Sequence, residues 1–383
     1  MKILSVFGTR PEAIKMAPLV NLLQRTEGLE SKLCVTAQHR EMLDTVLTLF
    51  QLTPDYDLNL MRHGQSLSEF TAAALSALDE VLAAEQPDLL LVHGDTTTTF
   101  VASLAAFYHH VPCGHVEAGL RTGQKYAPYP EEMNRRLTAV LADWHFAPTP
   151  GAADHLLAEG IVAERVFITG NTVIDALLAT LEQPCDLDGL GLDAVDWRRQ
   201  VLLLTCHRRE NWGRPMAEIF AAIAALLRDF PDLEVIFPVH RNPLIRAQVE
   251  QQLRGLPRLH LCEPLAYLPF CHVLKRCYFV VTDSGGLQEE APALAKPVLV
   301  LREVTERPEA IDAGTARLAG RERDTVYNAA ATLLQNKAAY QAMAHAENPY
   351  GDGHAAERIR DILLEISGKG ISMEIGEYGG KER

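Results

Sequence analysis

The chain has 383 residues, 48% of them hydrophobic and 22% charged, with a formal net charge of −14. That balance is ordinary for a water-soluble globular protein, and the length suggests two domains, each able to build its own core. The acidic excess argues against nucleic acid as the main partner, because phosphate backbones select basic surfaces, and a small anionic ligand would need cations gathered locally.

In chain order, short apolar runs rich in β-formers alternate with amphipathic helical patterns. The first series of strand-like runs is "KILSVF", "KLCVTA", "DLLLVHG", "PCGHVEA", "WHFAPT" and "RVFITG". The second is "VLLLTC", "LEVIFPV", "LHLCEP", "FVVTD", "PVLVLR" and "ARLAG". Helical runs such as "SEFTAAALSALDEVLAAE" and "MAEIFAAIAALLRDF" lie between them. Alternating βα units predict parallel sheets covered by helices, with right-handed crossovers. Residues 182–200, rich in Gly, Pro and Asp, link the two series or begin the second domain. The expected fold class is therefore α/β, with two Rossmann-like halves facing a cleft. The expected division is 1–170 and 171–352, with a last helix at about 353–367 packing back on the first half and a poorly ordered tail at 368–383. In such sheets ligands bind beyond the carboxyl ends of the strands.

The seven cysteines are odd in number, show no metal-type spacing and sit mostly in apolar runs. They read as small buried hydrophobes in a reducing compartment. The N-terminal apolar run is too short for a signal peptide, and no stretch reaches the ~18 apolar residues of a membrane span. A cytoplasmic protein without metal is the expectation.

Polar residues at strand ends are the informative ones. "FGTRPEAIK", residues 7–15, stands where a dinucleotide-binding fold carries G-x-G-x-x-G, yet only Gly8 is present. Arg10, Lys15 and the helix N-terminus would share one corner suited to phosphate. Asp95, after "VHG", is either a helix N-cap or a site residue, and the threonines at 96–99 suggest a hydroxyl-lined first turn. Glu117 emerges from a buried strand, which is costly unless it is paired, with Arg121 for instance, or functional. Glu131 and Glu132 begin a helix behind Pro130, where dipole complementarity alone would explain acids; Glu131 and Arg135 are also spaced as a surface pair. His207 and Arg208, then His240 and Arg241, follow two strands of the second series. In "VVTDSGGLQEEAP" a strand ends at Asp283, and Ser284, Gly285 and Gly286 turn into a helix whose start suits a diphosphate. Glu290 follows on the second helical turn, within reach of ribose hydroxyls, and Arg307 stands after the next strand.

Taken together, "FGTRPEAIKMAP", "TAQHREML", "VHGDTTTT", "GHVEAGLRTG", "PEEMNR", "ITGNTVIDAL", "HRRE", "TDSGGLQEEAP", "TERPEA" and "NPYGDG" resemble, in order, the motifs of the non-hydrolysing UDP-N-acetylglucosamine 2-epimerases of bacteria. The likeness runs from residue 1 to about 366 and is nearest to the enzymes that make the N-acetylmannosamine unit of enterobacterial surface polysaccharide. It implies a glycosyltransferase-B type fold, usually as a homodimer, and interconversion of UDP-GlcNAc and UDP-ManNAc without nicotinamide or any other cofactor. It also implies that Arg10, Lys15, Ser284, Gly285, Gly286, Glu290 and Arg307 bind the UDP moiety and that Phe270 lies against the uracil. Asp95, Glu117, Glu131 and His207 match catalytic positions, and Arg135 the arginine that supports them. Leu265 departs from a glutamine near the uracil in close relatives. Some relatives bind a second UDP-GlcNAc as activator through residues matching Gln38, His39 and a later arginine; here Gly64 takes the arginine position and Glu41 replaces a glutamine, which leaves such activation open.

The chemistry explains the pattern. C2 of the sugar has no carbonyl beside it, so its proton is too weakly acidic for simple abstraction. Elimination of UDP from C1 to a 2-acetamidoglucal, followed by re-addition, avoids oxidation. That route needs cations on the departing diphosphate and acid and base groups on opposite faces of C2, which several cleft carboxylates supply when repulsion separates their pKa values. A UDP-sugar glycosyltransferase, a hydrolysing 2-epimerase or a nucleotide-sugar sensor on the same fold are the competing readings.

Overall fold

Runs of Val, Ile and Leu closed by Gly, Asp or His build two separate parallel sheets, as buried strands with covered faces require. The computed structural model of the protein describes residues 1–37, 40–62 and 64–368. The first sheet is formed by β1 (Lys2–Phe7), β2 (Glu30–Val35), β3 (Tyr56–Asp57), β4 (Leu89–His93), β5 (Cys113–Val116), β6 (Trp144–Ala147) and β7 (Val166–Ile168). The second is formed by β8 (Gln200–Thr205), β9 (Leu233–Pro238), β10 (Leu259–Cys262), β11 (Phe279–Thr282), β12 (Val298–Val300) and β13 (Ala316–Leu318). Their orders are 3-2-1-4-5-6-7 and 10-9-8-11-12-13. Every ladder is parallel, for example Lys2↔Glu30 and Phe279↔Leu202. All twelve expected strands are present. The two-residue edge strand β3 was not expected, because so short a run has no period.

Each sheet reverses its strand order once, between β1 and β4 and between β8 and β11. Ligand crevices form at such switch points. Apolar cores fill both faces of each sheet. Residues 182–199 hold no helix or strand, but Leu187, Leu192 and Val195 anchor them in the second core. The helix Ala355–Gly368 sends Ala356, Ile359 and Leu363 into the first core. It begins beside the helix Thr172–Leu181, whose Asp175 accepts the amides of Ala355 at 3.2 Å and Ala356 at 2.8 Å. Nearby the chain passes between the two sheets twice, Gly170 against Gly351. All seven cysteines are free thiols, six of them buried. The tail from residue 369 onward, Gln38 and His39 lie outside the described residues. Gly64 has φ of 76°, a conformation that an arginine would strain.

Candidate active site

The first wall starts at Gly8. A Cβ there would lie 2.2 Å from Thr36 Oγ1 and 2.6 Å from Thr98 Oγ1, so this glycine serves close packing. Thr9 caps the helix Arg10–Gln24 in a capping box with Glu12. The Glu12 carboxylate accepts the amides of Gly8 at 3.1 Å and Thr9 at 2.7 Å. Thr96 and Thr99 hydroxyls donate to its other oxygen at 2.6 and 3.0 Å. The helix N-terminus is closed by the protein's own Thr9 and Glu12 side chains, where a corner open to phosphate was expected. The first turn after Asp95 is hydroxyl-lined as expected: Thr96 and Thr99 hold Glu12 in place, and Thr98 Oγ1 lies 2.8 Å from Thr36 Oγ1.

Arg10 is exposed at the end of β1, without an ion pair among the described residues. Lys15, one turn further, is nearly buried and pairs with Glu117 Oε2. The partner of Glu117 is thus Lys15; Arg121 instead pairs with Glu159 at 2.7 Å. Glu117 has φ of 63°, a strained conformation for a residue with a side chain, of the kind found at functional sites. Gly119 follows because a Cβ there would come 2.1 Å from the Ala152 carbonyl oxygen. Asn171 donates at 2.8 Å to Glu117 Oε2 and at 2.8 Å to Glu289 Oε2. Glu289 Oε1 accepts from Arg307 Nε. A continuous chain, Lys15–Glu117–Asn171–Glu289–Arg307, therefore joins the two walls, with two cations and two carboxylates. Burial opposes the charges of Lys15, Glu117 and Arg307, but mutual attraction prevails. The Lys15 ammonium is held above its usual range by Glu117 and Glu289, Glu117 is held well below the usual carboxylate range by Lys15, and Arg307 is raised by Glu289.

Asp95 is not the N-cap of its helix; Thr96 is. Asp95 Oδ2 instead accepts from Arg135 Nη2 at 2.5 Å, and its carbonyl from Asn134 Nδ2 at 3.0 Å. Arg135 also approaches Glu132 at 3.5 Å, and Glu132 accepts the amides of Thr122 at 3.1 Å and Gly123 at 3.2 Å. The spacing of Glu131 and Arg135 therefore does not make a surface pair. Glu131 Oε2 is buried with no hydrogen-bond partner.

On the second wall, Asp283 organises the turn after β8. Its Oδ2 accepts the amides of His207 and Arg208, both at 2.8 Å, and Asn211 Nδ2 at 3.0 Å. Its Oδ1 lies 3.1 Å from His207 Nδ1, an ion-pair distance without hydrogen-bond geometry. The His207 ring stacks on His240 with centroids 5.8 Å apart. Burial lowers the His207 pKa; Asp283 opposes this and Arg208 and His240 add to it. The Ser284–Gly286 turn leads into the short helix Leu287–Ala293, which no side chain caps. A Cβ on Gly285 would sit 4.0 Å from both Arg208 Nη2 and Arg307 Nη2, so two guanidiniums converge on this turn. Glu290 lies in the first helical turn, one turn earlier than expected. It accepts from the Tyr267 hydroxyl at 2.9 Å, and burial pushes its pKa up to about 7. Phe270 and Leu265 are half-buried against the second core. A cavity of about 620 Å³ opens beside them, lined by Val239, Leu265, Ala266 and Pro269 among others.

Sequence reasoning missed Asn171, Glu289, His93, Tyr267 and the organising role of Asp283. Asn171 and Glu289 sit inside quoted motifs, and their position at helix starts was the available signal.

Two facing parallel sheets with polar strand ends meeting between them make this an α/β enzyme of the glycosyltransferase-B type. A family model described as UDP-N-acetylglucosamine 2-epimerase matches residues 21–364, and the chain belongs to that family, in its non-hydrolysing bacterial form. It is 51% identical to the UDP-N-acetylglucosamine 2-epimerase of Bacillus subtilis over 367 residues, 95% of each chain. It is also 51% identical to the Escherichia coli K12 enzyme over 369 residues, 95% of this chain and 98% of that one. The crystal structure of the Neisseria meningitidis UDP-GlcNAc 2-epimerase bound to UDP-GlcNAc superposes with a TM-score of 0.87 at 49% identity, covering 95% of this chain and all of that one.

Proposed function

We propose that the protein interconverts UDP-GlcNAc and UDP-ManNAc by eliminating UDP and adding it back. The C2 proton passes to a carboxylate, the C1–O bond to UDP breaks, and a C1–C2 double bond forms. Reprotonation at the opposite face and return of UDP to C1 complete the cycle. The observation that supports this reading is the chain from Lys15 and Glu117 to Glu289 and Arg307, which sets cations and a strained, ionised carboxylate side by side. Arg10, Lys15, Arg307 and the Ser284–Gly286 turn stabilise the departing diphosphate as its charge develops. Asp95, held by Arg135, and Glu117 and Glu131 carry the proton traffic. The partnerless oxygen of Glu131 suits a group whose partner is substrate. His207, oriented by Asp283, presents Nε2 to the leaving phosphate. Glu290 takes the ribose, and Phe270 the uracil.

This reading places the dividing lines of the chain at 1–170 and 171–352, and the product in the supply of N-acetylmannosamine units for a bacterial surface polysaccharide. The exposed Phe107, Tyr108, Leu137 and Val140 on neighbouring helices suit a homodimer. Free thiols suit a cytoplasmic location, and among the described residues no helix is long and apolar enough to cross a membrane.

Positional isotope exchange tests the scheme. With ¹⁸O in the bridge between C1 and the β-phosphate, label should scramble into the non-bridging β-oxygens as the sugar epimerises, read by ³¹P NMR. Epimerisation with the label fixed in the bridge counts against departure of UDP.

A further inference from the structure

His93, the last residue of β4, is 2% exposed. Neither ring nitrogen has a hydrogen-bond partner. A buried polar ring left in that state is costly, so packing alone is a poor reason for a histidine here. Its Nε2 lies 3.9 Å from Glu117 Oε2, about 1 Å beyond a good hydrogen bond. That oxygen is the one already taken by Lys15 and Asn171. The charged groups that act on the ring are Glu117, where the chain leaves β5, and Lys15 from the Arg10–Gln24 helix, with the buried His115 of β5 also nearby. Burial keeps the imidazole neutral, so it offers one N–H and no competing charge.

In the elimination reading, on which this inference rests, Lys15 has two anionic partners. Each movement of its ammonium toward the diphosphate loosens its hold on Glu117. We propose that His93 is a positioning residue that replaces Lys15 at Glu117 during turnover: its Nε2–H closes on Oε2 as Lys15 turns to the diphosphate. The carboxylate is then still aimed and ionised at the moment the C2 proton reaches it, and no covalent bond of His93 is made or broken. The strained backbone of Glu117 makes such support necessary, because a carboxylate released by Lys15 would otherwise keep only Asn171.

The test compares His93→Met, which removes the donor, with His93→Gln, whose amide reaches the region of Nε2. The readouts are kcat, KM, UDP affinity, the pH profile of kcat and deuterium incorporation at C2. For His93→Met, kcat should fall roughly 10- to 100-fold, the usual worth of a hydrogen bond to a charged group, and the acid limb should rise by about one pH unit, because a lost hydrogen bond to the ionised form raises a carboxylate pKa. UDP affinity should be retained, and His93→Gln should recover most of kcat and restore the limb. An unchanged kcat and limb in His93→Met overturns the proposal. So do equal losses in both variants that follow a lowered melting temperature, since that marks packing. If the native enzyme incorporates no deuterium at C2, the elimination reading fails first; if it does and His93→Met behaves as native, only the role of His93 fails.

Discussion

Replacing Glu117 with glutamine should lower turnover of UDP-GlcNAc by roughly 10² to 10⁴, the usual contribution of a placed acid or base, while UDP still binds. Glutamine keeps the shape and can still accept from Asn171, but it cannot take a proton. It also leaves Lys15 buried without its counter-ion, and removing one partner of a buried pair costs about 3–5 kcal/mol. The variant should therefore melt earlier than the native enzyme when free. Saturating UDP should then narrow the gap, because the diphosphate gives Lys15 a new anion. Calorimetric titration with UDP and thermal melts with and without it measure both effects. Loss of UDP binding together with turnover would mark Glu117 as a structural ion-pair partner and remove it from the chemistry.

The fold should also lose stability steeply in mild acid. His93, His115 and His145 lie on adjacent strands β4, β5 and β6, with His115 directly opposite His145. All three are buried. Burial lowers the pKa of His145 to about 4, with Arg121 and Arg165 adding to the effect. His115 falls to about 3 for the same first cause, against a bond to the Gly94 carbonyl. A histidine lowered in the folded state contributes stability that is present above its unfolded pKa of about 6.5 and is lost as pH falls toward the folded value. For His145 that loss is about 2 kcal/mol between pH 6.5 and 5. Glu290, held at about 7 by burial, and Glu12, also raised by burial, work in the opposite direction as pH falls. A His145→Phe variant therefore isolates the imidazole. In urea titrations its stability should fall by about 2 kcal/mol less than native between pH 7 and 5. Parallel curves for the two proteins would show that His145 does not titrate on unfolding.

Much of the architecture was legible because buried parallel strands write themselves as short apolar runs, and their polar ends mark the crevice. What was not legible is which polar group meets which. Arg121 lies four residues from Glu117, yet the partner is Lys15, more than a hundred residues away. Asp95 precedes a helix, but Thr96 caps it and Asp95 goes to Arg135. Glu12, which sequence reasoning passed over, is the buried anchor of two strand-to-helix turns. These pairings depend on how sheets stack, which local spacing does not record. The three histidines escaped notice for a related reason: each sits alone in an apolar run, and only register brings them together.

The central claim is that the C2 proton leaves while UDP departs. The most direct measurement is to incubate the protein with UDP-GlcNAc alone in D₂O and follow the sugar by NMR. UDP-ManNAc carrying deuterium at C2 is the expected product. UDP-ManNAc that retains its original C2 proton, or free sugar accumulating with UDP, would contradict the account.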